Sequence, residues 1–392
     1  MDRPRASRRI WSAGAVILAA VLVAACAVSP RPDTTATAPP VPAGTTPLGQ
    51  VTWTSAVVPA GLGEEASFSD AAAGPTGFVI VGDTGAFGFQ GIVLRSTDGR
   101  AWATVHDNDV TVWGLSKVIA TDRGYMAIGG RFSGVQADGT TAWTSAILTS
   151  SDGSDWTVRQ TFDGMDILTV AARGPLIIAT TDAGTLLVSR NAAVTWQRVL
   201  AGGVGFGAGS PSAVAVLGTG RWVAVGTMGA SAAAWISADG LTWEPATMEA
   251  AGPVPGIKSV TPYAIAAGTS VAVATGTDDP QDCAPGDDFC AHFGAAWTTT
   301  DGRHWMRLPR GTPLTGAPGG GVWPAGAAGV VSILPDLSQS ANGWSWTTVP
   351  GSSPDIPFGA FVIHGRTVIA AGLGVTRDTP ALSILVGTIA GR

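Results

Sequence analysis

The chain has 392 residues, of which only 13% are charged, and it contains 54 Gly and 15 Trp. This composition is typical of many short apolar strands joined by Gly-rich turns, and it argues against charged amphipathic helices. Lys117 and Lys258 are the only lysines, and the formal net charge is −6, so a basic groove for nucleic acid is not expected. A β-barrel or propeller can use this length as one domain, and the composition therefore favours a single all-β domain.

The N-terminus has the pattern of an export signal. Four Arg precede an uncharged apolar run, 10–25, which is a charged n-region followed by an h-region. A membrane-spanning helix needs about 20 apolar residues, so this shorter run is expected to be removed as a signal peptide. Residues 7–11 (SRRIW) also resemble a twin-arginine signal, which leaves the choice between two export routes open.

The apolar run ends in Leu22-Val23-Ala24-Ala25-Cys26, which resembles the lipobox of bacterial lipoproteins. The resemblance implies that residues 1–25 are removed and that Cys26 becomes an acylated N-terminus, carrying for example palmitate, on the extracytoplasmic face of the cell membrane. A plain secretory signal with an incidental Cys26 is the alternative. Removal of 1–25 takes away four Arg and one Asp, which leaves a formal charge of −9.

Residues 26–50 are rich in Pro, Thr and Ala and have no periodic apolar pattern, so they are predicted to form a flexible tether. The predicted organisation is therefore a signal peptide at 1–25, a lipidated Cys26 with its tether at 26–50, and a folded domain at 51–392.

Cys283 and Cys290 lie in a polar segment, DDPQDCAPGDDFCAHF, and in an oxidising compartment they are predicted to form a disulfide. The acidic residues at 278–288 offer an alternative, a calcium site, because carboxylates are ligands for Ca²⁺. The segment lacks the ligand spacing of an EF-hand, so we predict no metal and no other cofactor.

Six segments of the chain share one turn pattern: RSTDGRAW (95–102), SSDGSDW (150–156), SRNAAVTW (189–196), SADGLTW (237–243), TTDGRHW (299–305) and SANGWSW (340–346). In such a turn, Asp or Asn can accept hydrogen bonds from backbone N–H groups, Gly supplies a positive φ, and Trp fills space beneath the hairpin. The pattern resembles the Asp box of sialidases (Ser/Thr-x-Asp-x-Gly-x-x-Trp) in a degenerate form, because Gly here usually follows Asp directly. The residues predicted to be structural are Asp98, Trp102, Asp152, Trp156, Asn191, Trp196, Asp239, Trp243, Asp301, Trp305, Asn342 and Trp346.

A Gly-led strand precedes each of these boxes, and a seventh copy at 365–372 is followed by a strand at 381–389 after which the chain ends. The missing partner lies at 51–58, where Trp53 has the position of a box tryptophan. Pairing of the N-terminal strand with the C-terminal blade would close a ring and remove exposed sheet edges. We therefore predict a seven-bladed β-propeller, with six or eight blades as alternatives.

In such a propeller the boxes would lie on one face, and we expect function on the opposite face, near the axis. The segment 275–295 is the first candidate for a ligand rim, and 129–142 and 372–381 are predicted as further long loops. The residues predicted to line this face are Asp107, Asp109, Arg131, Asp166, Lys258, Arg310 and Arg377.

The sialidase resemblance covers the repeat and does not extend to a catalytic site. Sialidases use three Arg, a Tyr paired with a Glu, and an Asp, with an Arg in a Phe/Tyr-Arg-Ile-Pro motif. Here Tyr125 and Tyr263 fall in or beside repeated strands, and the motif is missing. We predict no catalytic residues.

The predicted function is a membrane-anchored, monomeric binding or scaffold lipoprotein whose loop face holds a glycan, a peptide or a protein. It resembles sialidase-like and photosystem-assembly-factor-like propellers in repeat type. The alternative is a glycoside hydrolase or lyase-type enzyme that acts outside the cell.

Overall fold

A computed structural model describes residues 37–62, 65–84, 90–135, 141–281, 293–310, 312, 314–315, 321–333, 336–352, 358–376 and 379–391. Within these ranges the chain forms 28 strands, one short α-helix and two 3-10 turns. The strands group into seven consecutive antiparallel meanders of four strands each, which we call blades 1 to 7.

Blades 1 to 3 follow one another along the chain. Blade 1 consists of β2 (Ala66–Gly74), β3 (Gly77–Thr84), β4 (Gly91–Ser96) and β5 (Ala103–Thr104); the helix α1 (Asn108–Thr111) follows it. Blade 2 consists of β6 (Gly114–Thr121), β7 (Gly124–Val135), β8 (Thr141–Ser150) and β9 (Thr157–Asp163). Blade 3 consists of β10 (Ile167–Arg173), β11 (Leu176–Thr181), β12 (Thr185–Ser189) and β13 (Gln197–Leu200), followed by a 3-10 turn, Ala201–Val204.

Blades 4 and 5 share one eight-stranded sheet, because their outermost strands β17 and β21 pair in parallel. Blade 4 consists of β14 (Ser210–Val216), β15 (Trp222–Met228), β16 (Ser231–Ser237) and β17 (Glu244–Met248). Blade 5 consists of β18 (Ile257–Ala267), β19 (Ala272–Pro280), β20 (Phe293–Thr299) and β21 (His304–Arg307).

Blades 6 and 7 complete the set. Blade 6 consists of β22 (Val322–Pro324), β23 (Val330–Ile333), β24 (Leu337–Ser340) and β25 (Thr347–Thr348), with a 3-10 turn at Gly326–Ala328. Blade 7 combines both ends of the domain, because β26 (Phe358–His364), β27 (Thr367–Thr376) and β28 (Thr379–Ile389) are joined by β1 (Val51–Ala56).

The blades form a closed ring. The first strand of each blade contacts the first strand of the next, and β26 of blade 7 contacts β2 of blade 1. Each of seven buried apolar clusters lies between two neighbouring blades, so every blade packs against a neighbour on both sides. The predicted β-propeller is confirmed.

The N-terminal strand closes the ring as the sequence predicts. In β1, Val51 lies opposite Ile389 and Trp53 lies opposite Gly387, so β1 becomes the outermost strand of blade 7. A Cβ on Gly387 would approach the side chains of Val51 and Trp53 to 2.6 and 3.1 Å. Gly387 therefore allows these two side chains to lie flat against β28.

The segment before β1 corrects the predicted extent of the tether. Leu48 is buried between blades 6 and 7, and its N–H donates to Gln339 Oε1 at 2.7 Å. Further upstream, Thr46 N–H donates to the Ala327 carbonyl (3.1 Å), and the Asn342 side-chain amide donates to the Pro39 carbonyl (2.8 Å). The chain is thus docked on blade 6 from Pro39 onward, because its backbone groups find partners there. Residues 26–36 of the predicted tether lie outside the described ranges.

Candidate functional site

The two faces of the ring carry different connections. The turns between the first and second strands and between the third and fourth strands of each blade form what we call the box face. The connections between the second and third strands, and from one blade to the next, form the opposite side, which we call the loop face.

The box-face turns share one hydrogen-bond pattern. In blade 1 the Asp98 carboxylate accepts from the N–H groups of Arg100 (2.8 Å) and Ala101 (3.1 Å), while Gly99 N–H donates to Ser96 Oγ (2.8 Å). The Trp102 indole N–H donates to the Gly99 carbonyl at 2.8 Å. The same bonds form around Asp152 with Trp156 in blade 2, and around Asp239 with Trp243 in blade 4.

In the other three boxes an Asp or Asn side chain also accepts hydrogen bonds from the backbone of the turn, but the turn length and the identity of the acceptor residue vary. Asp301 accepts from the N–H groups of Arg303 and His304, and Asn342 accepts from those of Trp344 and Ser345. In blade 3, Asn191 accepts from Thr195 N–H across a longer turn in which Ala192 and Ala193 have left-handed φ values of 55° and 67°. Trp196, Trp305 and Trp346 complete these boxes, with Trp305 fully buried.

The box carboxylates are held in the ionised form. Hydrogen bonds from the N–H groups of Arg100 and Ala101 lower the pKa of Asp98. Burial raises the pKa of Asp301, but the hydrogen bonds that this carboxylate accepts from His304, Arg303 and Thr299 outweigh it and lower the pKa to about 2. A carboxyl group with so low a pKa is a poor general acid near neutral pH.

Box glycines have a second role that the repeat does not reveal. Gly99 has φ of 79°, and a Cβ there would come within 2.7 Å of Ile369 Cδ1 in blade 7. Likewise a Cβ on Gly240 would lie 2.8 Å from Ile178 Cδ1 in blade 3. The five box turns that contain Gly therefore pack closely against the preceding blade.

On the loop face, strand pairing continues beyond the body of the ring. The segments 129–142, 275–295 and 372–381 were predicted as loops, but β7 and β8, β19 and β20, and β27 and β28 extend into them as hairpins. Arg131 is therefore a strand residue of β7, paired with Thr144. Arg377, Cys283 and Cys290 lie outside the described residues, as does Cys26.

The projecting hairpin of blade 2 presents an aromatic and cationic surface. The Arg131 guanidinium lies 4.5 Å from the ring centroid of Trp113, which is buried. In the chain, Phe132 follows Arg131 and is 52% exposed, and Val112 precedes Trp113 and is 48% exposed. Such stacking fixes the guanidinium in place, and Arg and aromatic residues are frequent in binding hot spots.

Near the start of blade 3, Asp166 and Asp182 lie close together. Asp166 N–H donates to Asp182 Oδ1 at 2.9 Å. Burial, followed by the charge of Asp182, raises the pKa of Asp166 to about 6. Asp182 was not among the predicted site residues, because its position in a short turn of blade 3 gives no signal in the sequence.

The base of the blade 5 hairpin contains an ion cluster. Asp278 is fully buried, and its Oδ2 lies 2.7 Å from Arg307 Nη2 and 3.5 Å from Arg310 Nη2. Arg307 also stacks on Trp297, 4.4 Å from the ring centroid. The predicted ligand residue Arg310 thus pairs with a buried carboxylate, whereas Lys258, at the start of blade 5, is exposed.

Two predicted ligand residues instead support the flank of blade 2. Asp107 caps α1 through Asp109 N–H, and its Oδ2 accepts from Trp156 N–H at 2.8 Å. Asp109 Oδ2 accepts from Val158 N–H at 3.3 Å. Both carboxylates therefore bond to backbone at the start of the outermost strand of blade 2, away from the axis, where they occupy an otherwise free sheet edge.

Across the ranges that the structure describes, no group of three or more His, Cys, Asp or Glu is arranged to hold a metal ion. No helix in those ranges has the length and apolar character needed to span a bilayer. Much of the acidic segment 278–288 lies outside them.

No family model matches the chain, and a search of curated proteins finds no significant match. Among solved structures, YCF48 from Cyanidioschyzon merolae is similar with 16% identity and a TM-score of 0.50, over 86% of this chain and 98% of that one. YCF48 bound to D1 peptide matches with 13% identity and a TM-score of 0.51, over 88% and 99% of the two chains. An α-L-arabinofuranosidase, Arb93A from Fusarium graminearum, in complex with an iminosugar inhibitor, matches with 10% identity and a TM-score of 0.43, over 88% and 98%. At these identities the likeness concerns the β-propeller fold alone.

Proposed function

We propose that this protein is a lipid-anchored, extracytoplasmic binding protein that holds a peptide or protein segment on its loop face. The observation that carries the proposal is the hairpin of blade 2, where Arg131 is stacked on the buried Trp113 and their chain neighbours Phe132 and Val112 are exposed. Arg and aromatic side chains are enriched in the binding hot spots of protein interfaces. A similar propeller, YCF48, has been solved with a bound D1 peptide, which is consistent with a peptide ligand here.

The path of the N-terminal segment supports an orientation in which the loop face is turned away from the membrane. Pro39 is bound by Asn342, a residue of the box turn in blade 6, so the described chain begins on the box face. A lipid on Cys26 would lie only 13 positions further upstream. The box face would then be turned toward the membrane, and the loop face would be open to a partner.

The binding surface is tested by photo-crosslinking in cells. A photo-reactive amino acid at Phe132 should give a discrete crosslinked product, whereas the same amino acid at Asp155, an exposed box-face position, should not. A product from Asp155 equal to that from Phe132, or none from Phe132, would overturn the proposal.

The anchor is tested separately. Metabolic labelling with palmitate should mark the wild-type protein and not the Cys26→Ala variant. Labelling that persists in the variant would contradict acylation at Cys26, without bearing on the loop-face surface.

A second candidate function is glycoside hydrolysis, which Asp166 favours. Burial and the nearby Asp182 raise the pKa of Asp166 to about 6, and glycosidases use a carboxyl group with a raised pKa as general acid together with a second carboxyl group. Hydrolysis of aryl glycosides that is lost in both Asp166→Asn and Asp182→Asn would support an enzyme. Absence of hydrolysis by the wild-type protein across such substrates would leave the binding function alone.

A further inference from the structure

A polar cleft opens on the box face between blade 7 and blade 1. Its volume is about 660 Å³, and it is lined by Thr52, Thr54, Thr388, Ala390, Arg100 and Arg366. Ligand pockets commonly have volumes of about 300–1,000 Å³. The lining has two guanidinium groups and three hydroxyl groups and contains no carboxylate.

The fold brings these residues together at the seam where the ring closes. Thr52 and Thr54 alternate along β1 and are both exposed, so they share one face of the outermost strand of blade 7. Arg100 belongs to the box turn of blade 1. Arg366 belongs to the first turn of blade 7, where its Nε donates to the Ile389 carbonyl at 2.9 Å.

The seam between blades 4 and 5 is built from the corresponding turns, but there an arginine is paired with a carboxylate. Arg221 and Arg303 occupy the corresponding turns and line a smaller cleft of about 250 Å³. There Glu244 follows the box residue Trp243, as Thr54 follows Trp53, and Glu244 Oε2 lies 3.4 Å from Arg303 Nη1. The outermost strands of blades 4 and 5 also pair with each other, which closes this seam.

At the blade 7–1 seam the acidic partner is replaced by Thr54. Among the described residues, neither Arg100 nor Arg366 forms a salt bridge. The chain carries a net negative charge, so a cleft that is lined by two arginines and no carboxylate is a local exception. Guanidinium groups bind phosphate oxygens through paired N–H donors, and hydroxyl groups can donate to the remaining oxygens.

We propose that the blade 7–1 cleft binds a phosphate group through the guanidinium groups of Arg100 and Arg366, with the hydroxyl groups of Thr52 and Thr388 as further donors. The Thr54 hydroxyl donates to the Val386 carbonyl at 3.3 Å. The phosphate could belong to a soluble compound or to a lipid headgroup. The lipid source rests on the proposed anchor, because only an anchored box face would be held near a bilayer. The phosphate site itself depends on neither the anchor nor the loop-face surface.

The test uses the detergent-solubilised mature protein and two probes, inorganic phosphate and dihexanoyl phosphatidylglycerol below its micelle concentration. Binding is followed by the backbone amide resonances of Thr52, Thr54 and Thr388 and by the rise in unfolding midpoint that a ligand of the folded state produces. We expect both readouts to respond to phosphate, and acetate at the same concentration to give a response roughly tenfold weaker.

Three variants decide the assignment. Arg100→Gln and Thr54→Glu should each weaken phosphate binding by roughly tenfold or more, the latter because the new carboxylate would pair with Arg100 as Glu244 pairs with Arg303. Arg303→Gln, the matched change at the blade 4–5 seam, should leave binding unchanged. Equal loss in Arg303→Gln, an equal response to acetate, or no response to either phosphate probe would overturn the proposal. A response to the lipid probe at lower concentration than to inorganic phosphate would identify the headgroup as the source, and the reverse order would identify a soluble phosphate.

Discussion

The two faces of the propeller are built from the same strands, but their turns differ in kind. On the box face, Asp98, Asp152 and Asp239 make the same hydrogen bonds in three different blades, and each box glycine packs on the blade before it. On the loop face, by contrast, the hairpins differ in length from blade to blade, and among the residues that the structure describes the ion cluster at Asp278 has no counterpart in another blade. The repeated turns therefore form a framework, whereas residues outside the repeat can vary and form binding surfaces.

The largest loss of stability is expected from removal of β1, the strand that closes the ring. Deletion of Val51–Ala56 would remove the outermost strand of blade 7 and expose the edge of β28, together with the buried contacts of Val51. We expect the domain to lose its cooperative unfolding transition, as followed by tryptophan fluorescence in urea.

Deletion of the six residues 28–33, from the predicted tether, is the control and should leave the transition unchanged. A wild-type transition after loss of β1 would contradict closure of the ring by this strand.

The docked N-terminal segment should behave as part of the framework. Leu48 is 3% exposed, so Leu48→Ala should lower the free energy of unfolding by about 2–4 kcal/mol. Val41 in the same segment is 58% exposed, and Val41→Ala should change the free energy of unfolding by less than about 0.5 kcal/mol. Equal effects of the two substitutions in chemical denaturation would show that the segment is not docked at Leu48.

A single box should contribute less than a buried core residue. Asp239→Ala leaves the N–H groups of Leu241 and Thr242 without their acceptor, and we expect a loss of about 1–2 kcal/mol in unfolding free energy. Asp155→Ala removes an exposed carboxylate of another box turn and should be close to neutral. If Asp239→Ala is also neutral, the box hydrogen bonds do not stabilise the framework.

On the loop face, a substitution is expected to stabilise the protein. The pKa of Asp166 in the folded state is about 6, above its ordinary value of 3.8, so the folded protein loses stability as the pH rises from about 4 through 6. Asp166→Asn should avoid this loss and be more stable than the wild type at pH 7.5 by about 1–2 kcal/mol, a figure reduced because Asp166 is partly exposed.

Near pH 4 the stabilities of the wild-type protein and the Asp166→Asn variant should converge. A difference in unfolding midpoint that does not depend on pH between 4 and 7.5 would argue against a proton held on Asp166.

The repeat was sufficient to predict the ring, because five of the six boxes have Gly at a positive φ and all six end in Trp. Trp53 indicated that the final blade begins at the N-terminal strand. The repeat could not predict the docking of Leu48, since a Pro-rich segment has no periodic pattern even when its backbone groups find partners on blade 6. Nor could it place Asp107, whose bond to Trp156 N–H joins residues 49 positions apart in the chain.

The loop face was predicted least well. Arg131 was expected in a loop, but pairing between β7 and β8 continues past the body of the blade and carries Arg131 onto Trp113. Phe132 is a candidate binding residue because it is exposed, and its exposure follows from that extended hairpin. An apolar residue in a strand pattern is ordinarily buried, so the sequence alone gave no reason to select it.

We propose that the loop face binds the partner, while the hydrogen-bonded turns of the box face stabilise the fold. The most direct test measures the affinity of the partner recovered by crosslinking for two purified variants, Phe132→Ala and Asp239→Ala, beside the unfolding midpoint of each. We predict that Phe132→Ala weakens binding by roughly tenfold with an unchanged midpoint, whereas Asp239→Ala lowers the midpoint and keeps wild-type affinity. Wild-type affinity in Phe132→Ala, or an equal loss of affinity in Asp239→Ala, would contradict this division between the two faces.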